Sequence, residues 1–198
     1  MLSLRGLTAR GLAPFDFHLE AGECVAVTGA SGSGKSLLLR AIADLDPNDG
    51  QALLDGTPRA AIAGPDWRQR VGYLAPVAGW WAETVGAHFA DAEAARGLVR
   101  AVGLDAKAFG WSVSRLSTGE AQRLALARLL AGAPEVLLLD EPTGALDAAA
   151  RRAVEAILKE RLAAGAAILL VTHDRAQARR LAKRALRIAK GRVREGAP

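Results

Sequence analysis

Leu116-Ser117-Thr118-Gly119-Glu120 is a short segment whose neighbours along the chain decide the fold. Upstream of it lies Gly29-Ala30-Ser31-Gly32-Ser33-Gly34-Lys35-Ser36, which fits the phosphate-binding pattern GxxxxGK followed by Ser or Thr. Downstream lies Val136-Leu137-Leu138-Leu139-Asp140-Glu141-Pro142, an apolar run that ends in two acids and a proline. A phosphate-binding loop alone indicates only that a nucleotide binds. The order of these three segments along the chain restricts the class of nucleotide-binding protein much further.

The phosphate-binding loop has the local context that its pattern requires. A strand-like run, Cys24 to Thr28, precedes it, and a helical pattern, Leu37 to Ala43, follows it. Its glycines let successive backbone N–H groups converge on one anion, and the helix start adds a positive dipole. Lys35 supplies a charge for the terminal phosphates, and the Ser36 hydroxyl is a ligand for Mg²⁺. We therefore predict that nucleotide phosphates bind at Gly29, Ala30, Ser31, Gly32, Ser33, Gly34, Lys35, Ser36 and Leu37.

The apolar run before the two acids predicts a buried parallel strand. Asp140 then lies at the carboxyl end of that strand, where open α/β sheets place their ligands. We expect Asp140 and Ser36 to hold Mg²⁺, with Asp140 acting through water because this ion keeps much of its hydration. Glu141 points differently and is expected to orient or activate the attacking water. In isolation the acids would fit a solvated loop, but the phosphate-binding loop upstream favours the catalytic interpretation.

Ser117 and Glu120 predict the start of a helix. Ser117 is a favourable N-cap, and Glu120 three residues later completes a capping box. Residues 121–130 continue with an amphipathic helical pattern. On these grounds alone, the segment is either a well-capped helix or a second anion site at a helix start.

Together the three segments resemble those of the ATP-binding cassette family, the ATPases of membrane transporters. Residues 116–120, with Gln122-Arg123 after them, are similar to the family's Leu-Ser-Gly-Gly-Gln signature. The resemblance implies that Ser117, Thr118, Gly119 and Glu120 contact the γ-phosphate of ATP bound to another copy of the chain. It therefore implies a head-to-tail homodimer with two shared sites for ATP and Mg²⁺.

Two further positions match the family in spacing. Asp147, in Gly144-Ala145-Leu146-Asp147, occupies the place of the family's D-loop, which crosses the dimer interface. His173 follows the strand-like run Ile168 to Thr172 and matches the switch histidine, which contacts the γ-phosphate and the attacking water. The resemblance thus implies that Glu141, His173 and Lys35 are catalytic. The other two histidines, His18 and His88, lack such a context, and we expect them to be structural.

The resemblance covers nearly the whole chain and implies an α/β fold. It implies a P-loop NTPase core with a mixed or parallel sheet, N-terminal antiparallel strands and an inserted helical subdomain. We expect one ATPase domain over residues 1–198, with its core at about 1–82 and 133–198 and its helical subdomain at about 83–132. Within the subdomain, helices are predicted over Asp91 to Val102 and from Ser117 onward. The pair Trp80-Trp81 at the junction lies either in the core or at a partner contact.

The function that the resemblance implies is ATP hydrolysis that powers a separate membrane permease, with the subunit peripheral at the cytoplasmic face of the membrane. No run reaches the roughly 18 apolar residues of a membrane span, and the single cysteine, Cys24, suits a reducing cytoplasm. The turn Ala43 to Pro47, and Glu120 at the end of the signature, resemble the corresponding segments of the small ATPases of iron-efflux exporters. The alternatives are a soluble non-transport ATPase acting on nucleic acid or ribosomes, and a weakly hydrolysing regulatory subunit.

The whole chain has a net charge of +5, and many of its basic residues lie in the C-terminal part. Such a face suits anionic partners, but it also suits a solvated helix and strand. Neither aromatic interleaving nor a nucleic-acid motif accompanies it, so we expect no nucleic-acid partner.

Three positions depart from the family's pattern. Pro76 follows the strand-like run Val71 to Ala75, where the family has a Gln that binds Mg²⁺ and senses the permease. Thr118 replaces a signature glycine, and its β-branched side chain restricts the backbone. No aromatic residue lies at positions 7–13 to stack on adenine, where Arg10 offers a planar guanidinium instead. Metal coordination, coupling to the permease and base recognition therefore stay open.

Overall fold

The computed structural model describes residues 1–197. Strands and helices alternate along most of this range, as an α/β fold requires. The strands are β1 (Leu2–Ala9), β2 (Leu12–Leu19), β3 (Cys24–Thr28), β4 (Gln51–Leu54), β5 (Thr57–Pro58), β6 (Val71–Leu74), β7 (Val136–Asp140), β8 (Ala167–Val171), β9 (Arg184–Ala189) and β10 (Arg192–Gly196). The α-helices are α1 (Lys35–Ile42), α2 (Gly64–Arg70), α3 (Arg96–Ala101), α4 (Thr118–Ala131), α5 (Ala148–Ala163) and α6 (Arg175–Leu181).

A six-stranded sheet lies at the centre of the molecule, in the order β10-β9-β3-β8-β7-β6. Its inner pairs are parallel, and β10 runs antiparallel to β9. Strands β7 and β8 are buried along their whole length, as continuous runs of branched apolar residues predict. The carboxyl ends of β3, β8 and β7 therefore lie side by side.

A second, four-stranded antiparallel sheet has the order β2-β1-β4-β5. Leu2 and Leu4 of β1 share a buried core with Val25 and Val27 of β3 and with Leu38 of α1. The predicted N-terminal antiparallel strands are thereby confirmed. This core fixes α1, the helix behind the phosphate-binding loop, against both sheets.

The segment between β6 and β7 is helical but less regular than the sequence predicts. It contains several short 3₁₀ turns beside α3 and α4. The helix predicted over Asp91 to Val102 is wrong in its first part, because α3 begins only at Arg96. The Asp91 side chain instead accepts a hydrogen bond from the backbone N–H of Ala94 and caps a turn there. The division into a core and a helical subdomain stays a prediction.

This helical segment packs on one face of the central sheet. Val85, Phe89 and Val99 join Leu124 of α4 and Leu137 of β7 in a common core. That core fixes the start of α4 relative to the acidic end of β7. Within residues 1–197, the helices are all too short or too polar to cross a bilayer.

Candidate functional site

The phosphate-binding loop connects the end of β3 to the start of α1. Gly29, Gly32 and Gly34 have φ angles of 148°, 73° and 104°, which residues with side chains rarely adopt. A Cβ atom at Gly29 would also lie 2.5 Å from the backbone oxygen of Ile188 in β9. Conformation and space therefore both require glycine at this position. The helix then begins at Lys35, as the strand–loop–helix pattern predicts.

Lys35 lies across this loop. Its Nζ donates hydrogen bonds to the backbone oxygens of Gly29 and Ala30, both at 3.0 Å, and the residue is only 8% exposed. The Ser33 hydroxyl is buried without a hydrogen-bond partner among residues 1–197. Phosphate oxygens would supply the charged acceptor that the ammonium lacks and a partner for the hydroxyl. The loop therefore fits the phosphates of ATP.

Asp140 ends β7 and is almost fully buried. Its Oδ2 accepts a hydrogen bond of 3.2 Å from the hydroxyl of Tyr73 in the neighbouring strand β6. Burial and then the charge of Asp140 raise the pKa of Tyr73, so the phenol keeps its proton and remains a donor. Tyr73 was not among the site residues predicted from the sequence. The signal that would have found it is its place near the end of the strand that pairs with β7.

The candidate ligands for Mg²⁺ are both oxygen donors, which this ion prefers. Ser36 lies partly buried in the first turn of α1, and Asp140 lies two strands away from the loop. In the described part of the chain, no three His, Cys, Asp or Glu side chains cluster to hold a metal. These residues fit an ion that completes its shell with phosphate oxygens and water, and they do not fit a cage made of protein alone.

Glu141 and His173 lie in contact at the ends of β7 and β8. The backbone N–H of His173 donates to Oε2 of Glu141 at 3.4 Å, and His173 Nε2 lies 3.3 Å from Oε1. Oε1 is buried and makes no hydrogen bond within residues 1–197. Burial raises the pKa of Glu141, which the charge of His173 opposes only in part. A half-buried carboxylate with a raised pKa is suited to accept a proton from water.

A chain of buried polar side chains joins α5 to α6, the helices that follow these two strand ends. Thr143 Oγ1 donates to Gln177 Oε1 at 3.0 Å, and Gln177 Nε2 donates to Glu155 Oε1 at 3.2 Å. Arg180 donates two further hydrogen bonds to Glu155, at 2.9 and 2.6 Å. The bonds from Arg180 are the main cause that lowers the pKa of Glu155. The two helices are therefore held in one relative position.

Two aspartates that cap α5 and α6 lie at the starts of these helices, and one of them forms a second connection between the helices. Asp174 caps α6 by accepting two backbone hydrogen bonds from its first turn, and it also accepts one from Arg151 of α5 at 3.0 Å. Asp147 caps α5 by accepting from the backbone N–H of Ala150 at 2.8 Å. These backbone bonds lower the pKa of both acids, which therefore stay ionised. Asp147, the predicted D-loop residue, is a helix cap here, and its role at an interface stays a prediction.

The predicted signature starts α4 as a complete capping box. Ser117 Oγ accepts from the backbone N–H of Glu120 at 3.3 Å, and the Glu120 carboxylate accepts from the backbone N–H of Ser117 at 2.9 Å. Thr118 is exposed, and its backbone adopts the helical conformation as the first residue of α4. A Cβ atom at Gly119 would lie 3.2 Å from the backbone oxygen of Ala145. Gly119 therefore packs against residues 144–147, the predicted D-loop segment of its own chain.

A cleft of about 1020 Å³ extends from the phosphate-binding loop to the β9–β10 turn. Its walls bring together Gly29 to Ser33, Lys35 and His173. The signature residues Ser117–Glu120 are not among them. Other predicted site residues also lie outside its walls, namely Gly34, Ser36, Leu37, Asp140, Glu141 and Asp147.

The two adjacent tryptophans have different environments. Trp80 is partly buried and packs against the core, whereas Trp81 is 74% exposed, and a partner contact at Trp81 stays a prediction. His88 contacts both rings edge-on and is buried, and its Nε2 accepts hydrogen bonds from the backbone N–H groups of Trp81 and Ala82. The Arg128 guanidinium covers both rings at 4.8 and 4.7 Å. His88 is thus structural, as expected.

Pro76 follows the end of β6 and is exposed. The carbonyl of Ala75, just before it, accepts a hydrogen bond of 3.0 Å from Gln122 in α4. The side chain of Gln122 is therefore committed to the backbone of this loop. Proline has no side-chain oxygen, so position 76 offers no side-chain ligand for a metal.

Comparison with known proteins agrees with this geometry. A family model described as ABC transporter matches residues 12–144. The chain is 44% identical over 183 residues to the aliphatic sulfonates import ATP-binding protein SsuB 3 of Nocardia farcinica, covering 91% of this chain and 71% of that protein. It is 41% identical over 187 residues to the corresponding SsuB of Escherichia coli K12, covering 90% of this chain and 71% of that protein.

Solved structures agree in fold. One, described as the ATP-binding subunit of an ABC transporter, superposes with a TM-score of 0.89 at 27% identity, over 100% of this chain and 90% of that one. An ATP-binding cassette solved as a dimer after hydrolysis, with ADP and Pi, superposes with a TM-score of 0.83 at 24% identity, over 100% and 98%. The likeness to the second structure concerns the fold alone. With the family model, the relatives and the site in agreement, the chain belongs to the ABC transporter family, as one of its ATP-binding and ATP-hydrolysing subunits.

Proposed function

We propose that this ATPase dimerises head to tail and powers a separate membrane permease. The observation that carries the proposal is that Ser117 and Thr118 lie exposed at a capped helix start suited to an anion, where the phosphates of another copy can reach them. In a dimer with two-fold symmetry, the phosphate-binding loop of each copy faces the signature of the other copy. Each signature can therefore complete the other copy's site. Two equivalent ATP sites then form at one interface.

Within each site the roles follow from chemistry. Lys35 and the loop N–H groups hold the phosphates, and Ser36 with Asp140 holds Mg²⁺, which neutralises charge on the phosphates. Glu141 takes the proton of the attacking water, and His173 contacts the γ-phosphate beside it. Tyr73 keeps Asp140 oriented by donating to its carboxylate. Asp147 lies beside the partner's site at the interface.

The relatives are named for import of aliphatic sulfonates, and they favour an import system for this chain. They give no support to the narrower resemblance to iron-efflux exporters. The permease decides which substrate crosses the membrane, and the ATPase is held at the cytoplasmic face by contact with it. The exposed Val77 and Trp81, beside the exposed Pro76, are the candidate contact.

A weakly hydrolysing regulatory subunit is the second candidate. Pro76 favours it, because this position supplies no side-chain ligand to Mg²⁺. The complete capping box at Ser117 and the Glu141–His173 contact favour full hydrolysis instead. A non-transport ATPase acting on nucleic acid or ribosomes gains no support, because both relatives above are transport proteins.

Mixing two inactive variants tests the shared site. Ser117→Arg places a bulky cation at an exposed helix start, and Lys35→Ala removes the phosphate charge. Each variant alone should be inactive. In a 1:1 mixture half of the dimers are heterodimers with one intact composite site, so about one quarter of wild-type hydrolysis should return.

The matched control is Ser114→Arg, which adds the same side chain at an exposed position three residues before the signature. It should hydrolyse ATP at the wild-type rate. Heterodimers are verified by pulling down one tagged variant and detecting the other. If verified heterodimers stay inactive, the composite-site proposal is wrong.

A further inference from the structure

The walls of the nucleotide cleft lack the side chains that usually recognise a base. Among residues 1–197, its lining contains no Phe, Tyr or Trp, and no Asp, Glu, Asn or Gln. Beyond the phosphate-binding loop, its side chains are small, apolar or cationic apart from Thr28, Thr172 and His173. His173 lies against Glu141 at the proposed water site, so it is committed at the γ-phosphate end.

The β1–β2 turn borders this cleft at Gly11 and lies against the β9–β10 turn. Arg10 and Gly11 form a two-residue turn, with Gly11 at φ 77°. A Cβ atom at Gly191 in the β9–β10 turn would lie 2.7 Å from the backbone oxygen of Gly11. The two turns are therefore in direct contact. Phe15, four residues after Gly11 in β2, packs against the core instead.

Base selectivity in a nucleotide site comes from stacking and from hydrogen bonds to base edges. Stacking of a base on an aromatic side chain is worth about fivefold to 150-fold in affinity. Carboxylate and amide side chains read the amino and carbonyl groups that distinguish adenine from guanine. With neither group in the lining, the cleft has no aromatic, carboxylate or amide side chain to favour adenine, and the side chains left to contact a base edge are mostly exposed cations.

The cleft contains several cationic side chains that can bind a triphosphate. Four cationic side chains line the cleft beside Lys35, namely Arg175, Arg179, Arg187 and Lys190, and all four are exposed. None forms an ion pair with another residue of the described chain. Their attraction to phosphate charge is the same for every nucleotide, because it acts on a part that all nucleoside triphosphates share.

We propose that this cleft selects the triphosphate and not the base, so that GTP, CTP and UTP are substrates beside ATP. The proposal rests on the function proposed above, since it concerns the same cleft and the same hydrolysis. The nucleotide used would then follow from its concentration rather than from base recognition.

The test compares hydrolysis of ATP, GTP, CTP and UTP by the wild-type chain at equal Mg²⁺. We expect the four kcat/KM values to agree within about tenfold, below the larger effects of stacking and edge hydrogen bonds. In parallel, each nucleotide and inorganic tripolyphosphate should displace a fluorescent ATP analogue at similar concentrations. A preference for ATP above tenfold in both measurements overturns the inference.

Charge variants identify what the cleft recognises. Arg187→Gln should lower kcat/KM for all four nucleotides by the same factor and leave their ratios unchanged. Arg100→Gln, at an exposed position on α3 outside the cleft, is the matched control and should change none of them. An effect of Arg187→Gln on one nucleotide alone contradicts the inference.

The two proposals fail in different ways. If ATP is hydrolysed and the other nucleotides are neither hydrolysed nor bound, the function stands and base indifference is wrong. If no nucleotide is hydrolysed, the proposed function is wrong, and the displacement measurement still decides whether binding depends on the base.

Discussion

Glu141→Gln removes the proposed base while keeping the shape of the side chain. The amide oxygen of Gln can still accept the 3.4 Å hydrogen bond from the backbone N–H of His173. The amide cannot take up a proton from water, and it carries no charge opposite His173. We therefore expect the fold and ATP binding to persist and hydrolysis to fall.

The expected loss follows from what the variant keeps. A positioned general base contributes about 10²–10⁴ in rate, which corresponds to about 2.7–5.5 kcal/mol of the barrier. Lys35 and the loop N–H groups remain in Glu141→Gln, and such electrostatic stabilisation is a large part of catalysis. We therefore expect the lower end of the range, about a hundredfold.

Three measurements check this reasoning. Phosphate release gives kcat, displacement of a fluorescent ATP analogue gives affinity, and size-exclusion chromatography with ATP detects a trapped dimer. For the wild-type chain, kcat is also measured as a function of pH. Because burial raises the pKa of Glu141, kcat should fall with decreasing pH at a higher pH than for an ordinary Glu, and the variant should lack this fall.

Glu160→Gln, an exposed position on α5, is the matched control and should behave as wild type. Wild-type hydrolysis by Glu141→Gln would refute the role given to this carboxylate. A loss of ATP affinity equal to the loss of rate would instead place Glu141 in nucleotide binding.

Two further variants probe the surroundings of the site. Pro76→Gln should lower the Mg²⁺ concentration for half-maximal hydrolysis by up to about tenfold, if one added ligand is worth near 1.4 kcal/mol; an unchanged Mg²⁺ titration would count against a missing ligand. Gln177→Leu should lower the free energy of unfolding by about 1–3 kcal/mol, because Thr143 and Glu155 each lose a buried partner. Urea denaturation measures this, and an unchanged midpoint would show that the buried chain contributes nothing.

The elements that the sequence predicts correctly are those whose structure is decided by local rules over a few residues. The capping box of Ser117 and Glu120 is confirmed in both of its hydrogen bonds. Four branched apolar residues before Asp140 predicted β7, and β7 is a buried parallel strand. The glycines of the phosphate-binding loop adopt the φ angles that only glycine tolerates well. In each case the cause lies within the segment itself.

Prediction was incomplete where distant segments meet. The hydrogen bond from Tyr73 to Asp140 joins residues 67 positions apart, and no local pattern signals it. The link from Thr143 to Gln177 spans 34 positions. Adjacent side chains can also diverge, as Trp80 and Trp81 do, because burial depends on what packs from elsewhere. A pattern of neighbouring residues along the chain cannot predict contacts between distant segments, or the burial that those contacts cause.

The strand end at Glu141 combines a conformational cost with the proposed chemistry. Its φ of 52° lies in the left-handed region, which costs a residue with a side chain roughly 1–2 kcal/mol. Glycine would relieve this cost but would carry no base. The backbone is held by a hydrogen bond of 3.0 Å from its N–H to the carbonyl of Val171 in β8, and the chain of buried bonds begins at Thr143, two residues later. If those bonds maintain the strained conformation, Gln177→Leu should lower kcat together with stability while leaving ATP affinity unchanged, whereas a purely structural role would lower stability alone.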